Sequence, residues 1–379
     1  MQKKLIALAI AGLSSAAFAQ TNVTIYGVAD GTFDYIKVNN ALGNPSNTRV
    51  TSNGSNLGFK GTENLGNGMK AIFQFETEVN FDNNSSLGLN RDSFVGLTGG
   101  FGQVTLGTQT GPTKALGDRL DVNSGDTIMS NTALLGKLGG AYATFGGKGA
   151  QFASGSTFDT RFKNTIQYVT PSFSGLQATA MYVANENKVE TTGSKINTSA
   201  YDLGLTYENG PVFVGTTYAR ISEKNDAFTT VLPNFGQNTT AKEFRIGGMY
   251  DFGVATLRAL YARTKGDGSA FNAKQNVWGI GGTYNVSANG KLVAQYYKAA
   301  DIDASAGADD NTGAKFYTIG YEHSLSKRTM LKAGYAYLKN DSATSTNGFG
   351  GYDFGYNSVG ATGDNVKLSG FQFGMRHAF

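Results

Sequence analysis

Cysteine is absent from the sequence. That excludes disulfide staples, thiolate metal sites and thiol redox chemistry, and it suits a chain that crosses an oxidising compartment unfolded. Long hydrophobic runs are also missing. Beyond the first residues nothing approaches the ~18 apolar positions of a spanning helix, so a membrane-resident form would need a closed β-barrel to satisfy its backbone in lipid. Proline is scarce, with 5 residues, whereas glycine reaches 52 of 379. Aromatics at 12% exclude the composition of a disordered chain. No charge sign dominates, with 32 basic against 28 acidic residues. That balance argues against nucleic acid or an anionic surface as a partner, since both select a clustered basic excess. Any electrostatic role must come from local placement of charge.

Catalytic side chains are sparse too. The two histidines, His323 and His377, fall near strand ends with no serine or aspartate arrangement around them. The chain therefore reads as a non-enzyme. No cofactor or metal site is legible. Asp301, Asp303 and Asp309-Asp310 form an acidic loop without calcium-loop spacing. Gly66-Asn67-Gly68 and Gly146–Gly149 lack the strand–loop–helix context of a phosphate loop.

What is present begins with a leader. Lys3 and Lys4 precede an apolar run over Leu5–Leu13, and Ala17-Phe18-Ala19 forms a small-x-small cleavage site. Residues 1–19 are expected to be a cleaved signal peptide and 20–379 a single mature domain.

The mature chain alternates apolar and polar residues with period two. Over 22–38, Val23, Ile25, Phe33 and Tyr35 oppose Thr24, Tyr26, Asp30 and Asp34; over 69–80, Met69, Phe73 and Phe75 oppose Lys70, Gln74, Glu76 and Glu78. The same texture recurs at 49–61, 88–98, 101–109, 160–170, 175–184, 198–208, 211–221, 241–251, 253–264, 273–286, 290–299, 312–323, 329–340 and 365–379. These make sixteen strands. Their connections alternate between tight and long, as in a barrel with short turns at one end and loops at the other. Aromatics including Phe94, Tyr168, Phe173, Tyr182, Tyr207, Tyr250, Tyr284 and Tyr335 are expected to girdle the apolar outer face. The polar face predicts a wet lumen, since sixteen strands enclose more space than side chains fill. Tyr26 is the clearest aromatic on that polar face, without a run of others.

Several segments carry a family resemblance. They are Val23-Thr-Ile-Tyr-Gly-Val-Ala-Asp30, Leu57-Gly-Phe-Lys-Gly-Thr-Glu-Asn-Leu-Gly-Asn-Gly68, Met69-Lys-Ala-Ile-Phe-Gln-Phe-Glu76, Arg91-Asp-Ser-Phe-Val-Gly-Leu97, Gly100-Phe-Gly-Gln-Val-Thr-Leu-Gly107 and the terminal Gly374-Met-Arg-His-Ala-Phe379. Together they resemble general-diffusion porins of Gram-negative bacteria, in the beta-proteobacterial trimeric branch.

The resemblance implies an all-β, 16-stranded antiparallel transmembrane barrel in the cell outer membrane. It implies a homotrimer that passes small hydrophilic solutes and ions, in contact with membrane lipid and lipopolysaccharide. Phe379 would be the signal read by the barrel assembly machinery. It also implies a third external loop, roughly 110–159, folded inward. Lys60, Arg91, Arg161 and Lys163 would form the basic wall of the constriction. Asp118, Asp121 and Arg119, with Lys114 and Asp126 nearby, would lie on the loop. Asn56 and Thr108 stand where such porins usually carry arginine, which thins the ladder. A substrate-selective channel with a lumenal binding site is the alternative reading.

Overall fold

Strands with one apolar and one polar face, and no helix to cover either, can hide their edges by closing on themselves. The computed structural model describes residues 22–39, 44–83, 89–123, 125, 127–138, 158–185, 188–191, 194–225, 238–270, 272–305, 307–342, 351–354 and 364–379. The leader at 1–19 and Asp126 lie outside these residues.

Sixteen strands form the wall: β1 (Asn22–Asn39), β2 (Asn56–Gly66), β3 (Met69–Glu78), β4 (Ser93–Gly99), β5 (Gly102–Thr110), β6 (Arg161–Val169), β7 (Leu176–Val183) and β8 (Ser194–Asn209), followed by β9 (Val212–Asn225), β10 (Thr239–Asp251), β11 (Ala255–Asp267), β12 (Asn272–Asn285), β13 (Gly290–Ala299), β14 (Ala314–Ser324), β15 (Thr329–Asn340) and β16 (Lys367–Ala378). Each of the sixteen segments expected from alternation overlaps one of them.

Neighbours in sequence pair antiparallel, and β16 returns to β1 from Val28↔Ala378 to Asn39↔Lys367. The first residues of β1 pair instead with β2, from Asn22↔Thr62 to Val28↔Asn56. The Gly27 N–H donates to the Phe379 carbonyl at 3.1 Å, and the Phe379 N–H returns to Gly27 at 3.0 Å. That exchange completes the ring.

The tight connections all lie at one end. Between β2 and β3 the chain reverses through Asn67 and Gly68, with φ of 49° and 76°. An Asn-Gly pair is selected there because both positions need positive φ. At the other end, four short strands extend the wall into the loops: Ser46–Ser52 on β1, Val189–Thr191 on β8, Ile302–Ala304 on β12, and Gly307–Asp309 against Ile302–Ala304.

The outer face exposes large apolar side chains all round, among them Ile25, Val95, Ile246, Ile280 and Ile319. On a lipid-facing barrel this band is solvated by acyl chains. Aromatic contacts flank it, with Tyr250–Phe252 ring centroids 4.5 Å apart near the tight-turn end and Tyr296–Tyr317 4.8 Å apart toward the loops. Phe94 departs from the expected girdle. It pairs with Gln74 and Gly107 on the lumen side, while Val95 and Leu97 take the outer positions.

A second departure concerns the inner face, which is not polar throughout. Ile36, Val38, Leu260, Val277, Val293, Phe316, Leu338 and Leu368 are all buried. They form one core with Leu116, Leu120, Val122, Ile128, Met129, Leu134 and Leu135, and with Tyr352 and Phe354. Sequence alternation counts polar against apolar residues but does not show which part of a lumen wall is covered from within.

The closure makes a testable demand. A Cβ on Gly27 would meet the Phe379 ring and lie 2.6 Å from the Asn56 carbonyl oxygen. Gly27→Val is expected to destabilise the refolded barrel by about 1–3 kcal/mol, the usual cost of overpacking, measured by denaturant unfolding in detergent with Trp278 fluorescence as the probe.

Candidate functional site: the constriction inside the barrel

The long connection between β5 and β6, loop 3, turns into the lumen. Its first part is helix α1 (Pro112–Leu120), entered through Gly111 with proline at the start. Proline fits there because the first helical N–H has no intrahelical partner. No side chain of the loop caps this helix. The wall does so: buried Asp202 of β8 accepts from the Thr113 N–H at 3.0 Å and the Thr113 hydroxyl at 2.6 Å. A carboxylate at a helix N-terminus satisfies free N–H groups and complements the dipole.

Loop 3 then lies across consecutive strands on a path of glycines. Added Cβ atoms would come within 2.6 Å of Pro112 at Gly204, and within 2.7 Å of Leu116 at Gly215, Val122 at Gly281 and Ile128 at Gly370. Gly247 faces Leu120 in the same way, and Gly320 and Gly334 face Met129. These glycines let the loop backbone approach the wall closely enough to bury its apolar side chains.

Two polar anchors hold the loop. Arg245 of β10 is fully buried and donates to both carboxylate oxygens of Asp159, at 2.8 and 2.6 Å, and to the Thr113 carbonyl at 3.0 Å. It also pairs with Glu243, whose other oxygen accepts from the Thr264 hydroxyl at 2.8 Å. One guanidinium therefore ties the start and the end of loop 3 to the same strand. The second anchor is Asp121. It accepts from the Asn123 N–H (3.0 Å), the Ser130 hydroxyl (2.9 Å), the Asn131 N–H (2.8 Å) and Gln295 Nε2 of β13 (3.0 Å), and Arg258 of β11 donates to its carbonyl. Burial pushes the Asp121 carboxyl above the usual carboxylate range, and the donors from Asn123, Asn131, Ser130 and Gln295 pull against that rise. Lys137 donates to the Asp353 carbonyl at 3.1 Å, which joins loop 3 to the connection after β15. Burial pushes its ammonium pKa down, opposed by Asp353 and Asp159.

The expected site residues divide into three groups. On the wall, Lys60 is exposed and lies over the Tyr26 ring, 4.9 Å from its centroid. Arg91 pairs with Glu76, which also accepts from the Tyr26 hydroxyl at 3.0 Å. Arg161 reaches Asp92 at 3.1 Å. Lys163 stands apart. Asn164 has φ 56° and the β5–β6 pairing slips between Gly107 and Gln109, so alternation breaks. Phe162 and Thr165 are both buried, and Lys163 projects opposite Phe162 into the open.

On loop 3, exposed Asp118 bridges to Lys114 at 3.0 Å. Arg119 reaches Glu208 at 2.6 Å and lies over the Phe213 ring at 5.1 Å. Asp121 is the buried anchor described above rather than an exposed acid. Asp301 accepts from the Gly313 N–H at 3.0 Å, and Asp303 bridges to Lys274 at 2.5 Å.

Asp202, Glu243 and Arg245 were not legible as site residues. The glutamate and arginine do share the inner face two residues apart, but the partner that gives them meaning, Asp159, is 86 positions away. The inner face also holds aromatics beyond Tyr26 and Phe94, namely Phe162, Phe213, Tyr297 and Phe316. Tyr297 and Phe316 pack with loop 3 in the main core, and Phe162 packs with Leu138 and Phe158. They support the loop and do not line an open track.

Removing the Arg245 anchor should release the constriction. Arg245→Ala leaves Asp159 and Glu243 without their shared cation, a loss expected to cost about 3–5 kcal/mol at a buried ion pair. Single-channel recordings are expected to show larger or noisier conductance. Gly334→Leu should act likewise by displacing Met129, with every loop anchor left in place.

The geometry is that of a barrel narrowed by an inward loop, and comparison with known proteins agrees. A family model described as Gram-negative porin matches residues 5–344. Outer membrane porin protein 32 of Delftia acidovorans is 32% identical over the full length of both chains. An outer membrane porin protein of Bordetella pertussis is 29% identical, covering 90% of this chain and 95% of its own. The structure of an anion-selective porin from Comamonas acidovorans superposes with a TM-score of 0.75 at 29% identity, over 95% of this chain and all of that one. The chain belongs to the Gram-negative porin family and is an outer-membrane β-barrel channel.

Proposed function

We propose that this channel passes small hydrophilic solutes and ions by diffusion past loop 3, with a weak preference for anions. The observation that carries the preference is the pairing of charge at the constriction. Glu76 and Asp92 are each joined to an arginine, Asp118 to Lys114 and Glu208 to Arg119. Among the described residues Lys60 has no ion pair, and its ammonium group is exposed on the wall. A fixed positive charge in a narrow, low-dielectric passage raises the local concentration of anions. The anion-selective porin from Comamonas acidovorans supports the same sign. We also read the chain as exported through cleavage of residues 1–19, assembled through Phe379, and working as a homotrimer. A related fold, the Vibrio cholerae outer membrane protein OmpT, is recorded in a trimer form.

In planar bilayers the purified protein is expected to conduct in steps of three, with conductance proportional to bulk salt conductivity. A saturable, solute-blocked conductance would sink the diffusion reading. In a salt gradient the reversal potential should have the anion sign. Lys60→Glu should reverse it, and Arg91→Gln should shift it toward cations by leaving Glu76 unpaired. An unchanged reversal potential in Lys60→Glu removes Lys60 from the filter.

A further inference from the structure

Lys60 of β2 keeps an exposed ammonium with no ion pair among the described residues, although an acid lies within its reach. Its direct cross-strand neighbours, Thr24 of β1 and Gln74 of β3, carry no charge. Glu76 lies one pleat further along β3 on the same lumenal face, opposite Gly58. Diagonal neighbours of this kind are ~7–8 Å apart, a gap that a lysine and a glutamate span together. On two such strands alone, Lys60 and Glu76 would join.

Tyr26 stands between them. It is opposite Gly58 on β1, and its ring lies across that glycine toward β3. Its hydroxyl donates to Glu76 Oε2 at 3.0 Å, while Arg91 takes Oε1. Both carboxylate oxygens are thus engaged. The ring is left to Lys60, whose ammonium lies 4.9 Å from its centroid. A cation over a tyrosine face is attracted by the ring quadrupole. Such a contact holds the charge in place without neutralising it.

The glycine is part of the arrangement. A Cβ at Gly58 would lie 2.6 Å from the Tyr26 hydroxyl oxygen and closer still to the ring. A side chain there would push the ring off Glu76 and open the diagonal path from Lys60.

We infer that Tyr26 is the positioning residue that keeps the Lys60 ammonium free in the lumen. It does so by occupying Glu76 and by covering the gap that Lys60 would cross to reach it. Tyr26 carries no formal charge, yet it decides where one stands. This deepens the ion preference proposed above and rests on Lys60 as its source.

The test uses the full mature protein and two readouts. One is acylation of Lys60 by a water-soluble N-hydroxysuccinimide ester in detergent, read by peptide mass spectrometry and scaled to exposed Lys70. The other is the reversal potential of the bilayer-inserted channel in a salt gradient. In Tyr26→Ala, Lys60 should fold back onto Glu76. Its acylation should slow roughly three- to fivefold, the scale of a partly exposed ion pair, and the reversal potential should move toward cations. In a Glu76→Gln background the same Tyr26→Ala change should do neither, since no carboxylate is left there to capture the lysine. Gly58→Ala should act in the same direction as Tyr26→Ala. Unchanged or faster acylation of Lys60 in Tyr26→Ala overturns the proposal, as does an equal slowing in both backgrounds. If Tyr26→Ala does not fold, Tyr26→Leu is read by the same assays and to the same criteria. A reversal potential that ignores Lys60→Glu would defeat Lys60 as the filter, and acylation then still decides whether Tyr26 holds it free.

Discussion

Every backbone N–H and C=O that meets hydrocarbon needs a partner within the protein, and this constraint shapes the rest of the molecule. A sheet satisfies it only by having no edge. The chain achieves that with the exchange between Gly27 and Phe379 and the twelve-residue pairing of β1 with β16. Once the ring is closed, the two faces of each strand have fixed meanings. One is solvated by lipid, and the other faces a space that sixteen strands leave open.

That open space is then partly refilled. Loop 3 and residues 351–354 bring in side chains that make a hydrophobic core against the inner wall, as in a water-soluble protein. The glycine path removes the steric obstacle, and Arg245 removes the electrostatic one. Burying Asp159 or Glu243 alone would be costly, but a bidentate guanidinium shared between them offsets the desolvation. The same residue fixes Thr113, so both ends of the loop depend on one side chain. The channel is therefore what remains after an internal core has been packed, and its residual charge follows from which groups that packing leaves unpaired.

On the outer face at the long-loop end, Lys298, Lys315, Lys339 and Lys367 stand opposite one another across β13 to β16, by the same register. Lysines separated by 17, 24 and 28 positions in the sequence become neighbours because antiparallel pairing with short turns folds distant positions back to one height. Composition averages over such placement, which is why a nearly neutral chain can still present a concentrated cationic strip.

Alternation, turn chemistry and the spacing of tight and long connections were enough to establish the barrel, its strand count and the outer apolar band. Each is a local property, written within about ten residues and enforced by the period of the β-pleat. The inward course of loop 3 was implied only by the family resemblance, and what holds it depends on contacts between residues far apart in the chain. The family resemblance implies Asp121 as a constriction acid on loop 3, and in the fold it is a buried anchor whose donors include Gln295. Lys163 reads as lumenal until Asn164 enters the left-handed region and breaks the alternation. Arg245, Asp202 and Glu243 look like ordinary polar positions on a lumen wall. Their role was decided by tertiary structure alone, since a buried charge acquires its function from the partners that replace its water.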